Sequence, residues 1–174
     1  MRALWIVVAT IAALALQTTV AHAVVIRGNV PVDLVLVVVV YVALSSGPFT
    51  GMLVGTFAGL AQDALSGGII GIGGLADTIV GFVAGVVGTQ FIVTQPLTRM
   101  VVFFGATLLR AILFMGLYAL LGLRHFPSPY AAVAIQGVGN AVVGVVAFEI
   151  VEVLPGALER RRLRGPRTGR RLRR

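Results

Sequence analysis

The sequence predicts an all-α integral membrane protein, a compact bundle of about six transmembrane helices followed by a basic tail. Three observations carry this. Of 174 residues, 58% are hydrophobic and 11% charged, whereas soluble domains carry about 25% charged residues. Apolar stretches recur along the chain, most of them near the ~20 residues a helix needs to cross a hydrocarbon core. Charge is segregated: residues 160–174 hold nine arginines and no acid, while 1–159 hold five arginines against six acids, a net −1. The mean hydropathy of +1.02 therefore belongs to a nearly neutral body. The net charge of +8 belongs to the tail. The expected organisation is a bundle over 1–156 and an Arg-rich cytoplasmic tail over 157–174.

Residues 3–26 form the first expected span, between Arg2 and Arg27. Ala21-His22-Ala23 also fits a signal-peptide cleavage site, but the apolar run continues to Ile26, so the segment reads as a span. Residues 31–45 start at Pro31 and Asp33 and run through a valine-leucine block that is short for a span. Residues 47–64 are short as well. Ser45-Ser46-Gly47-Pro48 is strong turn chemistry, so the pair reads as two short helices joined tightly rather than one long kinked helix. Residues 70–94 form the fourth span, closed by Thr94-Gln95-Pro96. The fifth is 97–123, and the sixth, 130–153, ends at Pro155-Gly156.

Arginine placement orients the bundle. With six spans, Arg2, Arg99 and the nine tail arginines share one side, and Arg27 and Arg124 lie opposite. Both termini are then cytoplasmic. A single span over 31–64 would make the count five and separate the termini.

The third span carries Gly47, Gly51, Gly55 and Gly59 at a strict spacing of four. Interior glycines cost a helix about 1 kcal/mol each in water. In a membrane the same row lets another backbone approach closely. The row reads as a helix-packing surface against an internal neighbour, in a crossed contact. Asp63, Ser66 and Gly67 at its end form a polar corner, either structural or facing a partner. Asp33, in the first turn of the second helix, suits the dipole there and, like that corner, is either structural or faces a partner; as a carboxylate pair with Asp63 it is weak evidence for a site.

Ionisable residues inside spans are functional candidates. Asp77 and Arg110 lie on antiparallel helices, ~11 Å and ~20 Å from the outer end at 1.5 Å per residue. They are expected to pair, with Asp63 the rival acid. Arg110 reads as a packing strut neutralised by one of these acids ahead of a transport or proton role. Gln136, Gly137, Asn140 and Gly144 form a further packing stripe with hydrogen-bonding groups. Glu149 and Glu152 are expected to be solvated and to pair with Arg160–Arg162. His22 reads as a wetted interfacial residue. The tail arginines Arg160, Arg161, Arg162, Arg164, Arg167, Arg170, Arg171, Arg173 and Arg174 are expected to contact anionic lipid.

Little here suggests catalysis. The chain has no cysteine, two histidines, and no H-E-x-x-H, G-x-S-x-G or P-loop. No catalytic residue, cofactor or metal site is expected, and no nucleic acid partner.

The central block has a distinctive order: Pro31-x-Asp33-Leu34, the valine-leucine run to Tyr41 with Ala43-Leu44, the glycine row, Gly59-Leu60 with Asp63, and Leu65-Ser66-Gly67 with Gly71. Over about 31–90 it resembles the rod shape-determining MreD family. Asp77 in an otherwise apolar segment and the long arginine tail depart from that pattern. The resemblance implies a non-enzymatic inner-membrane component of the bacterial elongation complex. Such a protein would bind MreC, and through it act with RodA, a class B penicillin-binding transpeptidase and MreB in lateral peptidoglycan synthesis. The family is also distantly similar to the substrate-binding subunits of energy-coupling-factor transporters. The alternative function is therefore a vitamin-type substrate-binding subunit. Such a subunit needs a polar and aromatic cluster at one membrane face, whereas aromatics are only 7% here.

Overall fold

A computed structural model describes residues 2–24, 32–67, 69–91, 93, 95–122 and 130–163. These form six helices and no strand: α1 (Arg2–Val24), α2 (Leu34–Ser46), α3 (Pro48–Ser66), α4 (Ile72–Gln90), α5 (Pro96–Leu120) and α6 (Tyr130–Leu163). Among the described residues three segments are long and apolar enough to cross a membrane: Ile72–Gln90, Pro96–Leu120 and Ala131–Val151. Leu4–Thr19 and Leu34–Ser46 are shorter apolar helices.

The short second helix is the centre of the bundle. Its sequence, LVLVVVVYVALSS, is apolar on every side, which is the pattern of a helix buried all round. It touches each of the other five helices, and Val35, Val39, Val40 and Ala43 are fully buried. Leu36, Val40 and Ala43 join Val80 and Ala84 of α4, Phe103 and Ala106 of α5 and Ala141 of α6 in one cluster.

A single residue separates α2 from α3. Gly47 adopts φ +90°, a conformation open to glycine, and serves as the C-cap of one helix and the N-cap of the next. Pro48 opens α3, where its missing N–H costs nothing. The SSGP signal thus divides two helices, as its turn chemistry predicts.

Two ends differ from expectation. α2 starts at Leu34, three residues after Pro31, because the Asp33 carboxylate accepts the Leu36 N–H at 3.1 Å as an N-cap. At the other end α6 runs past Pro155-Gly156 to Leu163, ten residues beyond the expected stop. A proline removes only one backbone donor, and here the helix carries that loss. The first part of the expected irregular tail is therefore helical. Arg160, Arg161 and Arg162 fall on this helix, with side chains outside the described ones. Arg164, Arg167, Arg170, Arg171, Arg173 and Arg174 lie outside the described residues, as do Arg27 and Arg124. The side chain of His22 also lies outside them.

Candidate functional site

The glycine row of α3 meets α4 along its whole length. A Cβ at Gly51 would fall 2.5 Å from the Gly81 carbonyl oxygen, and one at Gly59 would fall 2.8 Å from the Gly73 carbonyl oxygen. At Gly55 it would strike the Asp77 backbone. From the other side, Gly73 faces the Asp63 carboxylate, Gly81 faces Gly51, and Gly85 faces Pro48. Two rows at spacing four therefore lie antiparallel, backbone to backbone, over ~18 Å of helix. The α4 row, Gly73, Asp77, Gly81 and Gly85, has the same spacing of four in the sequence and was open to the same reading. Gly47, at the turn, has only the Thr89 methyl nearby. A Thr56–Thr78 hydroxyl contact of 2.8 Å ties the seam across its middle.

At the end of the seam Asp63 turns inward. Its Oδ2 accepts the N–H groups of Gly71, Gly73 and Gly74 at 2.9, 3.0 and 3.1 Å. A carboxylate thus caps the N-terminus of α4, where the helix dipole favours an anion. Gly71, at φ +111°, lets the chain turn back onto it. Asp63 is buried, so of the expected polar corner only Ser66 and Gly67 are exposed. Gly67 closes α3 in the left-handed conformation at φ +65°.

The same geometry sinks the start of α2 into the bundle. Thirteen residues of α2 span ~20 Å against ~28 Å for the nineteen of α4. The turn at Gly47 lies beside Thr89, at the end of α4, so the first residue of α2 falls ~9 Å short of the other end of α4. Backbone at that depth needs partners within the protein, and α1 and α6 provide them. Gln17 of α1 accepts the Leu34 N–H at 2.9 Å and donates to the Val32 carbonyl at 3.4 Å. Asn140 of α6 accepts the Asp33 N–H at 2.7 Å and donates to Thr107 of α5 at 3.0 Å. Thr107 in turn donates to the Phe103 carbonyl at 2.9 Å.

Arg110 of α5 completes this cluster. Its Nη1 lies 2.6 Å from Asp33 Oδ2, and its Nε lies 2.6 Å from Asp77 Oδ1. Its Nη2 donates to Gln62 of α3 at 3.3 Å. One guanidinium thus joins α2, α3, α4 and α5. Asp33 was expected in the first turn of its helix as a structural or partner-facing polar residue, and it is also the ion-pair partner of Arg110. The fork of guanidinium donors suits two carboxylates held at an angle, which a lysine ammonium would not hold in fixed geometry. The missed members are Gln17, Gln62 and Thr107. Gln17 stood out in the sequence as a polar residue in an apolar span, but nothing there indicates what it faces.

A second polar joint lies toward the opposite end of the bundle. Arg99, 3% exposed, is held 2.9 Å from Glu149 and lies 3.8 Å from the centre of the Phe148 ring. Glu149 was expected to pair with the tail. It pairs with the first turn of α5, because α5 and α6 run antiparallel and bring those positions level; the side chains of Arg160–Arg162 lie outside the described ones. Gly137 and Gly144 of α6 receive the Phe104 and Phe103 rings, so that stripe packs on α5.

The arrangement is structural chemistry: ion pairs, caps and close backbone contact. Among the described residues no group of three or more His, Cys, Asp or Glu is placed to hold a metal. A family model described as rod shape-determining protein MreD matches residues 1–153. No curated protein and no solved structure matches the chain.

Proposed function

The chain belongs to the MreD family of rod shape-determining proteins, and from that membership we propose that it is an inner-membrane assembly component of the elongation complex. In this reading it binds MreC within the membrane and, through MreC, organises RodA, a class B penicillin-binding transpeptidase and MreB for lateral peptidoglycan synthesis. It crosses the membrane six times with both termini in the cytoplasm, as the arginine distribution favours. Its arginine tail rests on anionic lipid at about 1 kcal/mol per arginine near the surface.

The family match across 1–153, which takes in the bundle as far as Val153, is the observation that carries the proposal. The internal use of the buried polar groups agrees with it: they fasten helices to one another. That leaves the apolar outer faces, among them Phe57, Val101 and Ile112, to meet lipid and partner helices.

Affinity purification of the tagged protein from native membranes tests the proposal. MreC should co-purify, and depletion of the protein should convert rods to spheres. A bound vitamin or a transporter ATPase pair in place of MreC would overturn it in favour of a substrate-binding subunit.

A further inference from the structure

The ion cluster at the start of α2 does not balance. Arg110 supplies one positive charge, and Asp33 and Asp77 supply two carboxylates, all in direct contact. Among the described residues Asp63 on α3 is the other charged group close enough to act on Asp77, and it too is an acid. From α1 and α6 the described side chains at this depth are the amides of Gln17, Gln136 and Asn140. A surplus negative charge inside the apolar body is costly unless something neutralises it.

The two carboxylates are not equivalent. Both oxygens of Asp33 are engaged: Oδ1 accepts the Leu36 N–H, and Oδ2 takes Arg110. Asp33 also caps a helix N-terminus, where the dipole stabilises an anion. Asp77 has Oδ1 on Arg110, but its Oδ2 is buried with no hydrogen-bond partner. A Cβ built on Gly59 would lie 3.0 Å from that oxygen, so α3 packs directly over it. Among the described residues no group of three or more His, Cys, Asp or Glu is placed to hold a metal ion there. A proton fits.

We propose that Asp77 is a proton-binding site, with one proton on Oδ2 neutralising the cluster while Arg110 and Asp33 remain an ion pair. Binding is the addition of a proton from water to a carboxylate lone pair, and nothing else is consumed. A cavity of about 140 Å³ between α5 and α6 is lined by Thr107, Arg110, Phe114, Met115, Val133 and Gln136. Asp77 does not line it, but Arg110 both lines it and holds Asp77. With the proton bound, the joint of α2, α4 and α5 is charge-balanced. Without it, Asp33 and Asp77 repel across one guanidinium, and the joint loosens. The packing at the centre of the bundle therefore responds to acidity.

Infrared difference spectroscopy of the full-length protein in lipid tests this. The wild type should show a protonated-carboxyl C=O band that is lost on raising the pH. The band should vanish in Asp77→Asn. It should also vanish in Asp33→Asn, where Asp77 is intact but can ionise against Arg110 alone. No such band in the wild type, or a band that survives Asp77→Asn, overturns the proposal. If the variants do not fold, the wild type labelled with carbon-13 at its aspartate carboxyls decides. The band should move to lower wavenumber in the labelled protein, and a band that does not move belongs to another group and overturns the proposal.

Discussion

Gly55→Ala is the sharpest perturbation of the α3–α4 seam, because the new methyl would meet only backbone. It would lie 2.6 Å from the Asp77 carbonyl carbon, closer still to its oxygen, and 3.1 Å from the Thr78 nitrogen. Carbon atoms pack best at about 3.5–4.0 Å, so α3 and α4 must separate locally by about 1 Å. A gap of that size forfeits about a quarter to a half of the dispersion well for each contact it opens. Overpacking a tight core costs about 1–3 kcal/mol, and with no flexible side chain to yield, the upper end applies. Alanine returns about 1 kcal/mol through helix propensity. The net expectation is a loss of about 2 kcal/mol, roughly thirty-fold in the folding equilibrium. Reversible unfolding in bicelles, followed by steric trapping, measures this directly. Gly105→Ala and Gly116→Ala are the controls: their added methyl meets nothing within 4 Å, so both should be neutral or stabilising. A Gly55→Ala protein as stable as these two would refute close backbone packing as the reason for the row.

Arg110→Met should leave two carboxylates buried without their cation and cost about 3–5 kcal/mol; adding Asp33→Asn and Asp77→Asn to it should recover part of the loss in the same unfolding assay. Asp63→Ala removes the acceptor shared by three amides at the start of α4, an N-terminal loss of about 0.5–2 kcal/mol. Hydrogen exchange at Gly71, Gly73 and Gly74 should accelerate while exchange in the middle of α4 stays slow. Asn140→Leu strands the buried Asp33 N–H and should cost about 1–3 kcal/mol, read as a lower unfolding midpoint. Glu149→Gln should cost less than about 1 kcal/mol, because the Glu149 side chain is 46% exposed.

The membrane class, the helical content and the α2–α3 break were legible because each is local. Hydropathy sums along the chain, and Gly47-Pro48 acts through its own backbone. The glycine row was equally plain, since spacing four places Gly51, Gly55 and Gly59 on one face. Its complement on α4 was visible too, but pairing the rows needs the antiparallel register. Arg110 and Asp77 could be matched by depth along their helices. Asp33 could not be added to that pair, because the sequence does not show that α2 begins inside the bundle. The extent of α6 was misjudged for a related reason: Pro155-Gly156 weakens a helix locally without obliging it to stop.

From the chain of residues alone come the solvent the protein lives in, the family it belongs to, and the surfaces that allow close packing. Each follows from composition or from spacing within one helix. Which surfaces meet is settled by geometry across helices. The brevity of α2 sinks Asp33 to the depth of Arg110, and the register of α3 on α4 buries Asp77 beneath Gly59. Ion pairs and caps between residues far apart in sequence act only at hydrogen-bond distance, and the packed bundle alone brings them within it.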